Sequence, residues 1–232
     1  AVSTAAAFVL DASALVRFVP AADYSGTAPA LTVSMIEDSS GAVTTGQTAD
    51  LTTTGGSTQY SASMTLNIVV TATNDAPVAT GSATLAAVNE DTAAPSGQTV
   101  STLFGSHFGD PDGDALAGVA ITGNAATTQG VWQYFNGAWT TIGSPSESTA
   151  LVLAAGTLLR FLPAANFNGA VPALTVYLID NSGGAVTTGA LLDVSVNGGQ
   201  TRFSDASIDL TTSVTAVNDT PVVPASATTV GT

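Results

Sequence analysis

The densest chemistry in the chain lies in GDPDGD at 109–114, where Asp110, Asp112 and Asp114 alternate with Pro111 and Gly113. Alternate residues on an extended or turning backbone point the same way, so these carboxylates can converge, and their repulsion then favours a bound cation. Calcium suits such a site, because it accepts six to eight oxygen ligands in loose geometry, backbone carbonyls among them. Zinc does not, since the chain has no cysteine and a single histidine, His107. The loop is not an EF-hand: its glycine comes two places early and the twelfth position from Asp110 is Ile121 rather than Glu. Asp-Pro-Asp-Gly-Asp is also good turn chemistry, and a solvated turn is the competing reading.

The distribution of acid favours metal. Ten of the seventeen carboxylates fall in a few places: Glu37 and Asp38 with their counterpart Asp180, Asp75 with its counterpart Asp219, Glu90-Asp91, and the triplet. Counter-cations are almost missing, with three Arg and no Lys, and the formal net charge is −14. That balance argues against nucleic acid and against anionic membrane surfaces as partners, since both need clustered cations. Only 9% of residues are charged and 45% are hydrophobic, so the chain is too apolar for disorder by the low-hydrophobicity criterion. With no cysteine, disulfides cannot staple it, and a metal is the expected substitute. No run approaches the length needed to span a bilayer, so no membrane insertion is expected of this segment.

Catalysis finds little to work with. A Ser-His-Asp arrangement would need His107 in GSHFG, no GxSxG elbow accompanies it, and a loop histidine bonded to backbone or solvent is the expected alternative. A glycosidase pair could be assembled from Glu147, Glu90 or the aspartates, but acids gathered at boundaries look structural. Trp132, Tyr134 and Trp139 could form a sugar-stacking platform, although aromatic hairpin residues are more often core. The chain is therefore read as not an enzyme.

The elements that position the acids come from a long repeat. RFVPAADYSG at 17–26 returns as RFLPAANFNG at 160–169, a spacing of 143 residues held through APALTV/VPALTV and GAVTTG/GAVTTG. One extra residue near Asp205 moves the spacing to 144, so NDAPV at 74–78 returns as NDTPV at 218–222. A period this long is a whole domain in a tandem array. On this reading 1–75 is the C-terminal half of one repeat, 76–219 a complete repeat and 220–232 the start of the next. The half-unit should leave an apolar face uncovered unless a neighbouring chain or an upstream segment covers it.

Thr, Val and Ala alternate in short runs between Gly, Asn, Asp and Pro, which predicts an all-β fold. Strands are expected near 81–88, 98–104, 116–122, 130–135, 138–143, 149–153, 157–162, 173–179 and 206–217, with no helix. Asn136-Gly137 between VWQYF and AWTTI predicts a type I′ hairpin with Trp132 and Tyr134 on one face and Trp139 across from them. Phe161 and Phe167, with Phe18 and Tyr24, should fill equivalent cores, and Arg160 and Arg17 should pair with strand carboxylates. Many short strands with turn signals between them indicate tandem antiparallel β-sandwiches of immunoglobulin or cadherin type.

NDAPV as a boundary, NEDT a dozen residues on, then FGDPDGDAL, WQYFNGAWTTIG, LRFLPAANFNG and LTVYLIDNSGG together resemble the cadherin-like tandem repeats of giant bacterial surface proteins, including adhesins exported by type I secretion. The resemblance spans nearly the whole chain. It implies an extracellular, cell-surface extender of β-sandwiches strung end to end, with Ca2+ stiffening the junctions. On that pattern Asn74, Asp75, Glu37, Asp38, Asp110 and Asp112 share ions at one junction. Glu90 with Asp91 beside it, Asp180, Asn218 and Asp219 serve the next, and Asp114 closes a site within one domain. The linker is NDAP rather than NDNAP, and Asp180-Asn181 replaces Glu37-Asp38, so the two ligand sets need not be identical. Partners would be neighbouring repeats or identical chains, and possible matrix or host-surface glycans. Two further readings stand beside the extender: a filament subunit assembling by strand exchange, and a carbohydrate-binding module.

Overall fold

A computed structural model describes residues 2–126 and 128–221. The chain divides between Thr73 and Asn74 into two compact units.

The first unit contains six short strands: β1 (Ala7–Phe8), β2 (Gly26–Thr27), β3 (Leu31–Val33), β4 (Thr48–Ala49), β5 (Met64–Leu66) and β6 (Val69–Val70). They pair antiparallel as β1–β4, β2–β6 and β3–β5, three separate ribbons. Among its described residues only Val9 and Ala28 are buried apolar side chains. A two-stranded ribbon has one apolar face and nothing to bury it against, so these strands stay short.

In the second unit the strands are β7 (Val78–Ala79), β8 (Ala83–Thr84), β9 (Val88–Asn89), β10 (Gln98–Thr99), β11 (Phe108–Gly109), β12 (Leu116–Asn124), β13 (Gly130–Phe135), β14 (Trp139–Thr141), β15 (Ala150–Ala154), β16 (Leu158–Pro163), β17 (Gly169–Asp180), β18 (Leu191–Leu192) and β19 (Ile208–Thr215). One sheet runs β18-β15-β12-β17-β19-β8, with β9 also on β19, and a second runs β10-β16-β13-β14. β7 and β11 form a separate ribbon. Pairing is antiparallel except where β8 and β9 lie parallel to β19. The main core between the sheets is built from Val119, Ile121, Trp132, Tyr134, Phe161, Val176, Leu178 and Leu210 with their neighbours. Period-two alternation sends the intervening side chains the other way, and Ala120, Val152, Tyr177 and Ile179 fill a second core against Val194. The large sheet is thus apolar on both faces, where a simple sandwich would leave one in water.

In the first unit Phe18, 40% exposed, fills no core; in the second unit three local expectations need correction. The segment 98–104 is strand only at Gln98–Thr99; Val100–Phe104 is a helix, α1. Thr99 caps it by accepting from the Thr102 N–H, and Val100, Leu103 and Phe104 bury one helical face. The hairpin is not type I′: Phe135 pairs with Trp139, which leaves a three-residue loop, and only Gly137 has positive φ. Trp139 therefore joins Phe135, with ring centroids 5.4 Å apart, on the face away from Trp132. Among the described residues Arg160 meets no carboxylate; it stacks 3.9 Å over the Trp139 ring and donates to Gln133 Oε1 and the Pro95 carbonyl. This satisfies a buried cation with a quadrupole and neutral oxygens.

The two units share registers. Leu31 pairs with Leu66 as Leu174 pairs with Leu210, and Ala7 pairs with Ala49 as Ala150 pairs with Leu192. Gly26 opposite Val70 likewise matches Gly169 opposite Val214.

Candidate metal centre

β11 ends at Gly109 and β12 begins at Leu116, so residues 110–115 must turn between ribbon and sheet. Asp110 organises that turn: its Oδ1 accepts from the Asp112 N–H at 2.9 Å and the Asp114 N–H at 3.1 Å, while Gly113 takes φ 81°. Only glycine adopts that conformation without strain. The turn gathers one oxygen each from Asp110, Asp112 and Asp114 within 4.8 Å of one another. Its second Asp110 oxygen, Oδ2, is buried without a hydrogen-bond partner.

Other elements bring further oxygens to the same place. Asp112 Oδ2 accepts from the Asp75 N–H at 2.6 Å, tying the start of the unit to the loop. Asn181, just past the end of β17, accepts from the Ala115 N–H at 2.9 Å, which sets Asp180 beside the triplet. Asn74 donates its amide to the Thr201 carbonyl at 3.0 Å and, weakly, to Asp180 Oδ2 at 3.4 Å. With the NH2 edge on those acceptors, Asn74 Oδ1 is left buried and unpartnered. Asp180 is fully buried, and its Oδ1 is held by Ser182 N–H and hydroxyl.

The charges are felt. Desolvation first, then the neighbouring charges of Asp110, Asp180 and Asp112, push the Asp114 carboxyl above its ordinary value. A site with orphaned acceptor oxygens and a carboxyl reluctant to ionise among other carboxylates fits a hard cation.

Glu90 and Asp91 are elsewhere. Glu90 is buried, with Oε1 accepting from the Val217 N–H at 2.7 Å and Oε2 from Asn168 at 3.2 Å. Asp91 accepts from the Asn166 N–H at 3.3 Å. Asn168 precedes β17 and Asp180 ends it, so the two acidic places lie at opposite ends of a 12-residue strand, roughly 35 Å apart. Asp180 thus groups with Asn74 and the triplet rather than with Glu90. Asn218 and Asp219 are exposed, and the residues after Pro221 lie outside the described residues. Glu37 and Asp38 sit in the first unit, exposed, in the local geometry of Asp180-Asn181: Glu37 accepts from the Ser39 hydroxyl as Asp180 does from Ser182. The loop 198–203, which supplies the Thr201 carbonyl, was not singled out in the sequence. Its signal was the echo of Gly55-Gly56 and Thr58 in Gly198-Gly199 and Thr201.

The discarded chemistry has plain structural places. His107 Nδ1 lies 2.9 Å from the Thr80 carbonyl, so that nitrogen carries the proton and the ring is anchored to backbone. Trp132 is fully buried and donates to the Pro172 carbonyl, so it forms no surface platform. Among the described residues no helix is long and apolar enough to cross a membrane.

Two sheets packed over one core, in strands joined mostly antiparallel, define a β-sandwich of immunoglobulin type. Residues 74–195 match the bacterial Ig domain family, and the chain belongs to it. The fold is a non-catalytic structural one, typical of bacterial surface proteins. No curated protein and no solved structure matches the chain.

Proposed function

We propose that the chain is an extender segment of a large bacterial cell-surface adhesin of the cadherin-like, type I-secreted kind, and that Ca2+ bound where the second unit begins stiffens it. The observation that carries this reading is the convergence of Asp110, Asp112 and Asp114, with Asp110 Oδ2 buried and without a donor, beside Asp180 and Asn74, whose Oδ1 is also buried without a donor. Asp110 Oδ2, Asn74 Oδ1 and the Asp112, Asp114 and Asp180 carboxylates would hold the ion. Arg202 donates to the Asp180 and Gly184 main-chain carbonyls, and calcium would supply positive charge at the carboxylates themselves. Asn74 and Asp75 are the first residues of the second unit, and their bonds to Thr201 and to Asp112 fix the start of that unit against its own loops. The extracellular setting supplies calcium at the millimolar level that such oxygen sites exploit.

Thermal melts in calcium and in EGTA test this. At a free ion concentration 100-fold above Kd, binding contributes about 2.7 kcal/mol, which for a domain of this size raises Tm by roughly 5–10 °C. Superimposable melts would remove calcium from the reading. Asp110→Asn should abolish the calcium-dependent shift while leaving the EGTA melt nearly unchanged.

A further inference from the structure

The first unit holds the two flanks of a sheet without the strand between them. In the second unit β12 lies between β15 and β17 and bonds to both. Their counterparts in the first unit are β1 and β3, which keep the outer pairings, β1 to β4 and β3 to β5, in the registers of β15 to β18 and β17 to β19. Where β12 would lie there is instead a groove of about 930 Å³, lined by Phe8, Leu10, Leu31, Val33 and Met35. These stand at the positions of Leu151, Leu153, Leu174, Val176 and Leu178, the residues that β12 pairs with or packs against. The side chains there are exposed where their counterparts are not: Leu31 is 45% exposed and Leu174 0%, Met35 65% and Leu178 0%. In the segment that matches β16, a strand of the other sheet, the same holds, with Phe18 at 40% against 1% for Phe161.

We propose that this groove is a docking site for a strand of the β12 type, carried in a half-sandwich segment built like residues 74–143 and joined on the N-terminal side of the first unit. The internal counterpart specifies the occupant. It brings a strand patterned like LAGVAITGN with Val and Ile toward the core, and behind it a cover like that formed by Phe104, Trp132, Tyr134 and Ile142 over Phe161 and Leu210. A strand entering between β1 and β3 satisfies two free edges with main-chain bonds and buries the exposed row in the same step. A second copy of the chain is a poor donor, because its own 74–143 is already packed into its own core.

The experiment compares the full chain with the full chain preceded by an added copy of residues 74–143, by amide hydrogen exchange and sedimentation. The added segment is expected to slow exchange at Thr32, Val33, Met64 and Thr65 by about 100-fold or more, with the protein monomeric. Carrying Trp132→Ala in the added copy should return at least about a tenth of that protection. Unchanged exchange in the extended chain, including because the added segment stays unfolded, overturns the proposal. So does an unextended chain that dimerises and protects these amides by itself, and so does full protection that ignores the tryptophan substitution.

Discussion

At the scale of single residues, the two units show how one altered side chain redirects a local network. Thr45 and Thr188 occupy the same position, and each hydroxyl accepts from a main-chain N–H, that of Asp11 or of Ala154. In the second unit Thr188 also bonds Thr157, whereas in the first the Asp11 carboxylate accepts from the Thr45 hydroxyl and from the hydroxyl and N–H of Ser13 as well. Those donors, Ser13 foremost and then Thr45, lower the Asp11 pKa to about 2. Because the folded value lies below the unfolded one, the stabilisation is present above about pH 4 and is lost as pH falls towards 2. A carboxyl carbon titration by NMR should find the Asp11 midpoint near 2, and Thr45→Val should raise it towards the ordinary value. The acids at 110–114 were legible because residue type and alternation determine where side chains can meet. Their grouping with Asp180 was not, since it depends on where a 12-residue strand ends, which no local pattern encodes.

Elements were legible where period two ran long enough to fix a face, as in β13 and β19. They were misread where a short apolar run suits either structure, as at 100–104, or where tertiary pairing selected a longer loop than Asn-Gly prefers. The double-faced large sheet was also hidden, because covering its far side takes the irregular segment 181–207. Glycine supplies a test at this scale. Gly118 sits at a register shift of β12, and a Cβ there would stand 2.2 Å from the Leu153 carbonyl oxygen. Backbone cannot retreat without breaking the β12–β15 ladder, so Gly118→Ala should cost about 2–3 kcal/mol, read as a lowered denaturation midpoint for the second unit. Thr99→Ala removes the cap of a five-residue helix and its bonds to the Ser101 and Thr102 hydroxyls and should cost about 1 kcal/mol.

Across the whole molecule, burial is divided unevenly. The second unit encloses Trp132, Phe104, Phe161 and a continuous aliphatic core, while the first buries little beyond Val9 and Ala28. Apolar area removed from water is the main stabilising term, at about 25 cal/mol per Å², and the first unit has little of it to set against chain entropy. A single cooperative transition is therefore not expected. Both tryptophans, Trp132 and Trp139, belong to the second unit, so their fluorescence reports that unit alone, whereas far-ultraviolet circular dichroism reports strands in both. In a urea titration the circular dichroism signal should begin to fall at lower denaturant than the fluorescence, and the early phase should correspond to β1–β6. Coincident curves would mean that the first unit draws its stability from something other than its own burial. Calcium should then sharpen the contrast: its proposed ligands lie in the second unit, so it should move the fluorescence midpoint upward and leave the early phase where it was.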